Sequence, residues 1–304
     1  MAVLDSLLNL AALLLWLSWR GIGTEQASGP AGTLLANLRP AHRGRAGRHG
    51  YLIGLIGLLL GRAVVYRQFG PSFDWHPSWS PGAVSMVFRS DHFLRMLASS
   101  LLGFGWMMFG LWASACLVAA LHRPPHDKDA LTREVRRRLG WISLLPSVCL
   151  LALPMVVLTL VWLVLGWLAA STGLVPELQG PAHLFQQAAV VGVGAVLVWR
   201  WLLTGVLILY FLNSYVFFGA SPLWDFVQQT GTRLCRPLAF LRLGRLHLAP
   251  LVWLAVLWLA VGLLGTGLPW RLTTAAGLKG VAGAKAPPWL EHGLLPTLYR
   301  SLPW

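Results

Sequence analysis

Apolar stretches of about twenty residues, parted by short segments rich in arginine, constrain this chain more than any other feature. A segment that crosses a bilayer must satisfy its own backbone N–H and C=O groups, and a helix needs roughly 20 mostly apolar residues to do so. Six stretches meet that pattern. They are Ala2 to Trp19, Tyr51 to Tyr66, Phe93 to Leu121, Trp141 to Ala170, one within Phe185 to Gly219, and Leu248 to Leu268. Only 11% of residues are charged. That is less than half of the roughly one quarter usual in soluble domains, so most of the surface need not meet water. Seventeen tryptophans fit a chain with two lipid–water boundaries, where the ring and its single N–H are both satisfied.

Four stretches carry features that set their ends. The first contains Asp5 and runs into Trp19-Arg20, so it lacks both the basic start and the small-residue cleavage site of a signal peptide. In the second, Arg62 lies near one end, where snorkelling carries its guanidinium to the headgroups. In the fourth, Pro146 and Pro154 mark a late start or a kink. The fifth is too long for one crossing without large tilt. The Trp199-Arg200-Trp201 triplet reads as an interfacial belt, which places the crossing at Leu202 to Phe218 and makes residues 185–198 a helical extension at the outer surface. The competing placement, Ala188 to Leu212, puts Arg200 at mid-membrane at a cost of at least ~2.5–3.5 kcal/mol unless it is paired.

The connecting segments test the count. Residues 20–50 hold Arg20, Arg39, Arg43, Arg45 and Arg48 against Glu25, residues 122–140 hold six basic against three acidic residues, and residues 219–247 hold Arg233, Arg236, Arg242 and Arg245 against Asp225. The segments between them, 67–92 and 171–187, carry no net positive charge. Basic and non-basic segments alternate strictly. The positive-inside rule then sets the basic ones in the cytoplasm and both termini outside, as for a multi-pass protein of a bacterial-type inner (plasma) membrane. The formal charge of +14 is thereby explained by topology and headgroup contact, and nucleic acid is not expected as a partner.

Ser221 to Pro250 is the most informative stretch. Ser221 suits a helix cap, Pro222 the first helical position, and Asp225 the first turn. Leu223, Phe226, Val227, Thr230 (by its methyl), Leu234 and Leu238 then form an apolar stripe, with Asp225, Gln228, Gln229, Thr232, Arg233 and Arg236 on the other side. Pro237 ends or bends the helix, and Arg242 and Arg245 precede re-entry at Leu248. The expected element is an amphipathic helix on the cytoplasmic leaflet, either a plain connector or a docking surface for protein or anionic lipid. Residues 124–140 echo it, with Leu131, Val135 and Leu139 beside Arg133, Arg136, Arg137 and Arg138. A diverged two-fold internal repeat, two crossings joined by a surface helix, fits both halves. The expected fold is therefore an all-α polytopic membrane helix bundle of about six transmembrane helices with two cytoplasmic amphipathic surface helices. Its divisions are an N-terminal half at 1–121 including the loop 20–50, a C-terminal half at 122–268, and a tail at 269–304. Ala275 to Pro288 of the tail reads as a flexible linker. Trp289, Leu294, Leu295, Leu298 and Trp304, like the aromatic segment Gly70 to Trp79, suit the headgroup surface.

The residues Asn213-Ser214-Tyr215, Ser221-Pro222-Leu223-Trp224-Asp225-Phe226, Thr230, Leu234, Arg236-Pro237-Leu238 and Ala249-Pro250 resemble the signature of the YggT family over about 213–260. That signature has a Pro-x-x-x-Phe start, a Thr and a Leu-x-x-Pro in the surface segment, and a small residue and Pro opening the last helix. The opening, Asp5 to Leu10 and Trp16 to Arg20, is similar to long Trp-rich members. Gly231-Thr232 stand where the family often has Glu-Pro, and His247 where it often has an acidic residue. The resemblance implies a small multi-pass membrane protein linked to membrane-complex biogenesis, cytochrome maturation in plastids included, to envelope organisation, and to osmotic or ion stress. It carries no catalytic site.

The residues themselves point the same way. There is no HExxH, Walker A loop or GxSxG elbow. His122 and His126 lie near Asp127 and Asp129, but Pro124-Pro125 forbid the regular helix that would aim both imidazoles at one metal. Cys116, Cys149 and Cys235 fit no CxxC or zinc spacing and are expected as free, buried thiols. No enzyme activity, cofactor or metal is expected, and the expected partners are membrane lipids and other membrane proteins. A transport component is the competing class, and Arg200 and Asn213 are its intramembrane polar candidates.

Overall fold

The computed structural model describes residues 2–20, 45–73, 76–79, 86–88, 90, 92–122, 130–172, 180–216, 221–243, 246–266 and 292–301. They are almost entirely helical. In chain order the α-helices are α1 (Ala2–Arg20), α2 (Arg45–Phe69), α3 (Phe93–Leu121), α4 (Ala130–Leu139), α5 (Ser147–Ser171), α6 (Pro181–Val193), α7 (Arg200–Asn213), α8 (Pro222–Cys235), α9 (Ala249–Val261) and α10 (Leu294–Ser301). Among the described residues four helical stretches are long and apolar enough to cross a membrane: His49–Phe69, Phe93–Leu121, Ser147–Ser171 and Pro181–Asn213. A shorter apolar helix runs over Ala249–Gly265. The chain is a helical, membrane-embedded protein.

It divides into two compact units within α3. The first holds residues 1–79 and 87–108, the second 80–86 and 109–304. In the first, α1 and α2 form an antiparallel pair. Ala12, Leu55 and Leu59 are buried between them with Leu15, Trp16 and Leu58 alongside, and Phe104 of α3 closes that cluster. Gly54 faces the Leu15 side chain across the pair, at a distance where a Cβ would make ordinary contact. Ser100 of α3 donates its hydroxyl to the Leu59 carbonyl at 3.1 Å, a polar tie between helices that lipid cannot replace.

In the second unit α5 and α6 pack along each other, antiparallel. Gly192 lies so close to Thr159 and the Met155 carbonyl that a Cβ there would collide, and Gly166 meets Leu184 and Trp162. Small residues permit this approach, as in other helix pairs within lipid. The α5 residues Leu150, Pro154, Leu158, Trp162, Gly166 and Ala169 form its buried stripe. The helix begins at Ser147, directly after Pro146, while residues Gly140–Leu144 form a 3-10 turn. Pro154 sits inside α5 without ending it.

The fifth stretch departs from its expected placement. Residues Pro181–Asn213 form one helical run of 33 residues, with a 3-10 segment at Gly194–Trp199. The helix ends at Asn213, so Leu202 to Phe218 is not a separate crossing. Trp199 is not an interfacial belt residue: it is buried and donates Nε1–H to the Ala113 carbonyl of α3 at 3.0 Å. That donor is satisfied inside the protein, whereas Trp201 of the same triplet is exposed. Arg200 lies within the run, its guanidinium 5.0 Å from the Trp201 ring centre.

The tail also departs from expectation in part. Residues Leu294–Ser301 form α10, which packs on α6 and on the π-helical turn Gly262–Thr266. Leu295 and Tyr299 are buried there, while Leu294 and Leu298 face outward. Burial pushes the Tyr299 phenol up to about 12. The expected linker Ala275 to Pro288, Trp289, Trp304 and most of the loop 20–50 lie outside the described residues.

Candidate docking surface at the end of the third helix

A helix leaves its last four carbonyls without intrahelical partners, and that end carries partial negative charge. At the end of α3, side chains from three different helices take these groups. Arg136 of α4 donates to the Ala119 carbonyl at 3.3 Å, Ser147 of α5 to Ala120 at 3.1 Å, and Arg233 of α8 to Leu121 at 2.6 Å. The two arginine bonds are charge-assisted, a kind worth about 1.5–3 kcal/mol each, while the neutral serine bond is worth about 1 kcal/mol. They fix both amphipathic helices at one place.

Packing finishes what these bonds begin. The α8 residues Phe226, Val227, Thr230, Gly231 and Cys235 are buried. They meet Val206, Leu207 and Tyr210 of α7, Val118 of α3 and Ala249 of α9. The Tyr210 ring lies directly over Gly231, where a Cβ has no room. His122, fully buried, lies with its ring 5.7 Å from that of Phe226 and its Nε2 2.9 Å from Thr230 Oγ1. Thr230 spends its one hydroxyl hydrogen on the Phe226 carbonyl at 2.7 Å. The His122 Nε2 must therefore carry the proton and donate, which fixes the tautomer from the hydrogen-bond network. Burial pushes the Cys235 thiol up to about 11, so it stays protonated and unreactive at neutral pH.

Most of the apolar stripe of α8 therefore rests on protein, while Leu223 at its start is exposed. Its free face carries Pro222, Asp225, Gln228, Thr232 and Arg236, and Pro237 is also exposed. The expected Pro bend is present: residues Arg236–Leu241 tighten to a 3-10 turn that breaks at Leu238, with φ −106° and ψ 21°. Arg242 pairs through its backbone with His247 in a two-residue antiparallel ribbon. Pro250 is buried in the first turn of α9, and Arg245 lies outside the described residues. On α4, Thr132 and Leu139 are buried, whereas Arg133, Arg137 and Arg138 are exposed. Arg138 pairs with Glu134 at 2.7 Å. Asn213 is at the end of α7, where its amide donates to Gln228 Oε1 of α8 at 3.0 Å. Arg200 is not brought to this cluster by any contact described above.

Further sequence readings need correction. Cys149, expected as a buried thiol, is exposed, while Cys116 and Cys235 are buried. His122, one of the two histidines weighed above as metal ligands, directly follows α3 and is sealed beneath α8. No pattern around it signals that, because its partners lie 104 and 108 residues away. Arg62 does not snorkel. Within the first unit its Nη1 donates to Asn9 Oδ1 at 2.7 Å and its Nη2 to Asp5 Oδ1 at 2.8 Å. Tyr66 donates its hydroxyl to the same carboxylate oxygen, and the guanidinium lies 5.3 Å from the Tyr66 ring centre. The Arg62 side chain is 6% exposed and Asp5 28%. A signal for this cluster was present: Asp5/Asn9 and Arg62/Tyr66 are both i, i+4 pairs, so each shares one helix face.

Among the described residues no three His, Cys, Asp or Glu side chains gather as a metal site. No family model, curated protein or solved structure matches the chain.

Proposed function

We propose that this protein is a non-enzymatic, YggT-like membrane protein that supports membrane-complex assembly or envelope organisation through contacts with other membrane proteins and lipids. On this reading it crosses a bacterial-type inner membrane six times, with both termini outside the cytoplasm and the two halves related as a diverged repeat. The observation that carries the reading is the fixation of α8. Arg233, His122 and Phe226 hold one side of the helix on protein, which leaves Pro222, Asp225, Gln228, Thr232 and Arg236 as a preset outward face. A helix that only connected two crossings needs no such three-sided anchorage. Preorganisation of this kind lowers the ordering cost of docking a partner.

Affinity capture in mild detergent tests it. Wild type is compared with Asp225→Arg/Arg236→Glu, which inverts the outer face, and with Phe226→Asp, which dislodges the helix. The double variant is expected to lose the partners that wild type retains, as is Phe226→Asp. Recovery of the same partners from all three overturns the docking reading. A transport component is the second reading, supported by the buried Arg62–Asp5 pair, since paired charges within lipid often line ion routes. Uptake into vesicles that is unchanged by Asp5→Asn would remove it.

A further inference from the structure

We propose that α4 and the 3-10 turn after it form a binding site for the phosphate headgroup of an anionic phospholipid. This deepens the reading above and rests on it, because it assigns one surface of the same docked assembly to lipid.

Six side chains make the case. Arg133, Arg137 and Arg138 are exposed on α4, while Arg136, on the same helix, is committed to the Ala119 carbonyl. The helix is thus held by one arginine and presents the other three. Arg138 shares its charge with Glu134, and among the described residues Arg133 and Arg137 meet no carboxylate in an ion pair. Planar guanidinium groups suit the oxygens of a phosphate, which they grip through two parallel N–H donors. Within the next few residues the surface changes character. Trp141 is 75% exposed, Leu144 85% and Val148 77%. In a 3-10 turn positions three apart eclipse, so Trp141 and Leu144 share a side. Val148 opens α5, one of the helices long and apolar enough to cross a membrane. Cationic side chains followed at once by uncovered apolar ones match a molecule with an anionic head and acyl tails. A soluble phosphate satisfies only the first half, and an acidic protein surface leaves the second half bare.

The test uses the full chain in neutral detergent, titrated with phosphatidylglycerol or phosphatidylcholine and read by native mass spectrometry. Wild type is expected to bind phosphatidylglycerol at least about tenfold more tightly, since each basic residue near an anionic surface contributes roughly a fivefold factor. Arg133→Gln/Arg137→Gln/Arg138→Gln is expected to bring the two lipids within about twofold of each other. Arg20→Gln/Arg67→Gln/Arg300→Gln removes equal charge elsewhere and should keep at least about a third of the preference. Trp141→Ser/Leu144→Ser removes no charge and should weaken long-chain phosphatidylglycerol about fivefold or more, in line with the apolar area lost. Glycerol phosphate at matched ionic strength should displace nothing. Equal loss in both triple variants, preference retained in the α4 triple, no effect of the Trp141/Leu144 change, or displacement by glycerol phosphate each overturns the proposal. Affinity capture from the same membranes keeps the two readings apart. Lipid preference that survives the α4 triple while partners are lost from the α8-face variants defeats this inference and leaves the docking reading standing. Lipid loss as expected, with every partner retained by the α8-face variants, does the reverse.

Discussion

Arg62 and Arg233 both lie beside apolar helices, yet they meet opposite solutions. Arg62 is neutralised by a carboxylate: Asp5 and Asn9 take two of its nitrogens within the α1–α2 pair. Arg233 instead donates to a backbone group, the carbonyl of Leu121 at the end of α3. Inside an apolar helix pair an uncompensated charge costs several kcal/mol, so neutralisation is what permits burial. At a helix end the guanidinium remains half-buried and the carbonyls supply partial negative charge. The first arrangement locks two helices together. The second holds two helices in place and leaves a cationic surface facing outward.

That difference can be broken most forcefully at Asp5. Asp5→Leu leaves Arg62 buried beside Asn9 alone, and unfolding in detergent is expected to show a loss of about 3 kcal/mol, the low end for a broken buried pair because Asp5 is itself 28% exposed. Asp5→Leu/Arg62→Leu together should recover most of that loss, since a packed apolar pair can replace a buried ion pair at little cost. A double variant no more stable than Asp5→Leu would show that the cluster holds more than a charge balance.

The second unit is best probed through Cys235. Gly231→Ala drives a methyl into the Tyr210 ring and should cost roughly 1–3 kcal/mol as overpacking. In a Cys149→Ser background, maleimide labelling of Cys235 at neutral pH should then rise at least about tenfold, since a 1.4 kcal/mol shift in docking is tenfold in the exposed population. Protection as complete as in wild type would mean that α8 is not held by that contact. Arg233→Gln removes one charge-assisted bond to the α3 end, and a smaller rise in labelling is expected, from a loss of about 1–2 kcal/mol given its partial exposure. The smallest effect belongs to Arg133→Gln/Arg137→Gln. These exposed groups should change stability by no more than about 0.5 kcal/mol while still altering lipid preference. A stability loss as large as that of Arg233→Gln would place them in the fold and not on its surface.

The helices were legible because lipid-length apolar runs and the cap residues Ser221 and Pro222 are local signals. Phe226, Val227 and Thr230 were recognised as one stripe, and the structure buries that stripe. What covers it was not legible: amphipathic spacing says that a face is apolar, and a bilayer and a protein groove satisfy it equally. Arg62 was misread for a related reason. Snorkelling is the general solution for an arginine near the end of an apolar helix, and only a second helix carrying Asp5 and Asn9 at the matching height makes inward pairing better. Trp199 followed the same logic, since its Nε1–H found a carbonyl in α3 where the triplet pattern suggested water.

By itself the sequence determined that this chain is helical and embedded in lipid, because hydrophobic length and the absence of charge act on each segment separately. Tertiary structure alone decided which polar groups were spent internally and which were left to the surface. The partners of Arg62, His122 and Arg233 lie 53 or more residues away along the chain, and hydrogen bonds act only over about 3 Å, so that choice becomes readable only once the helices have met.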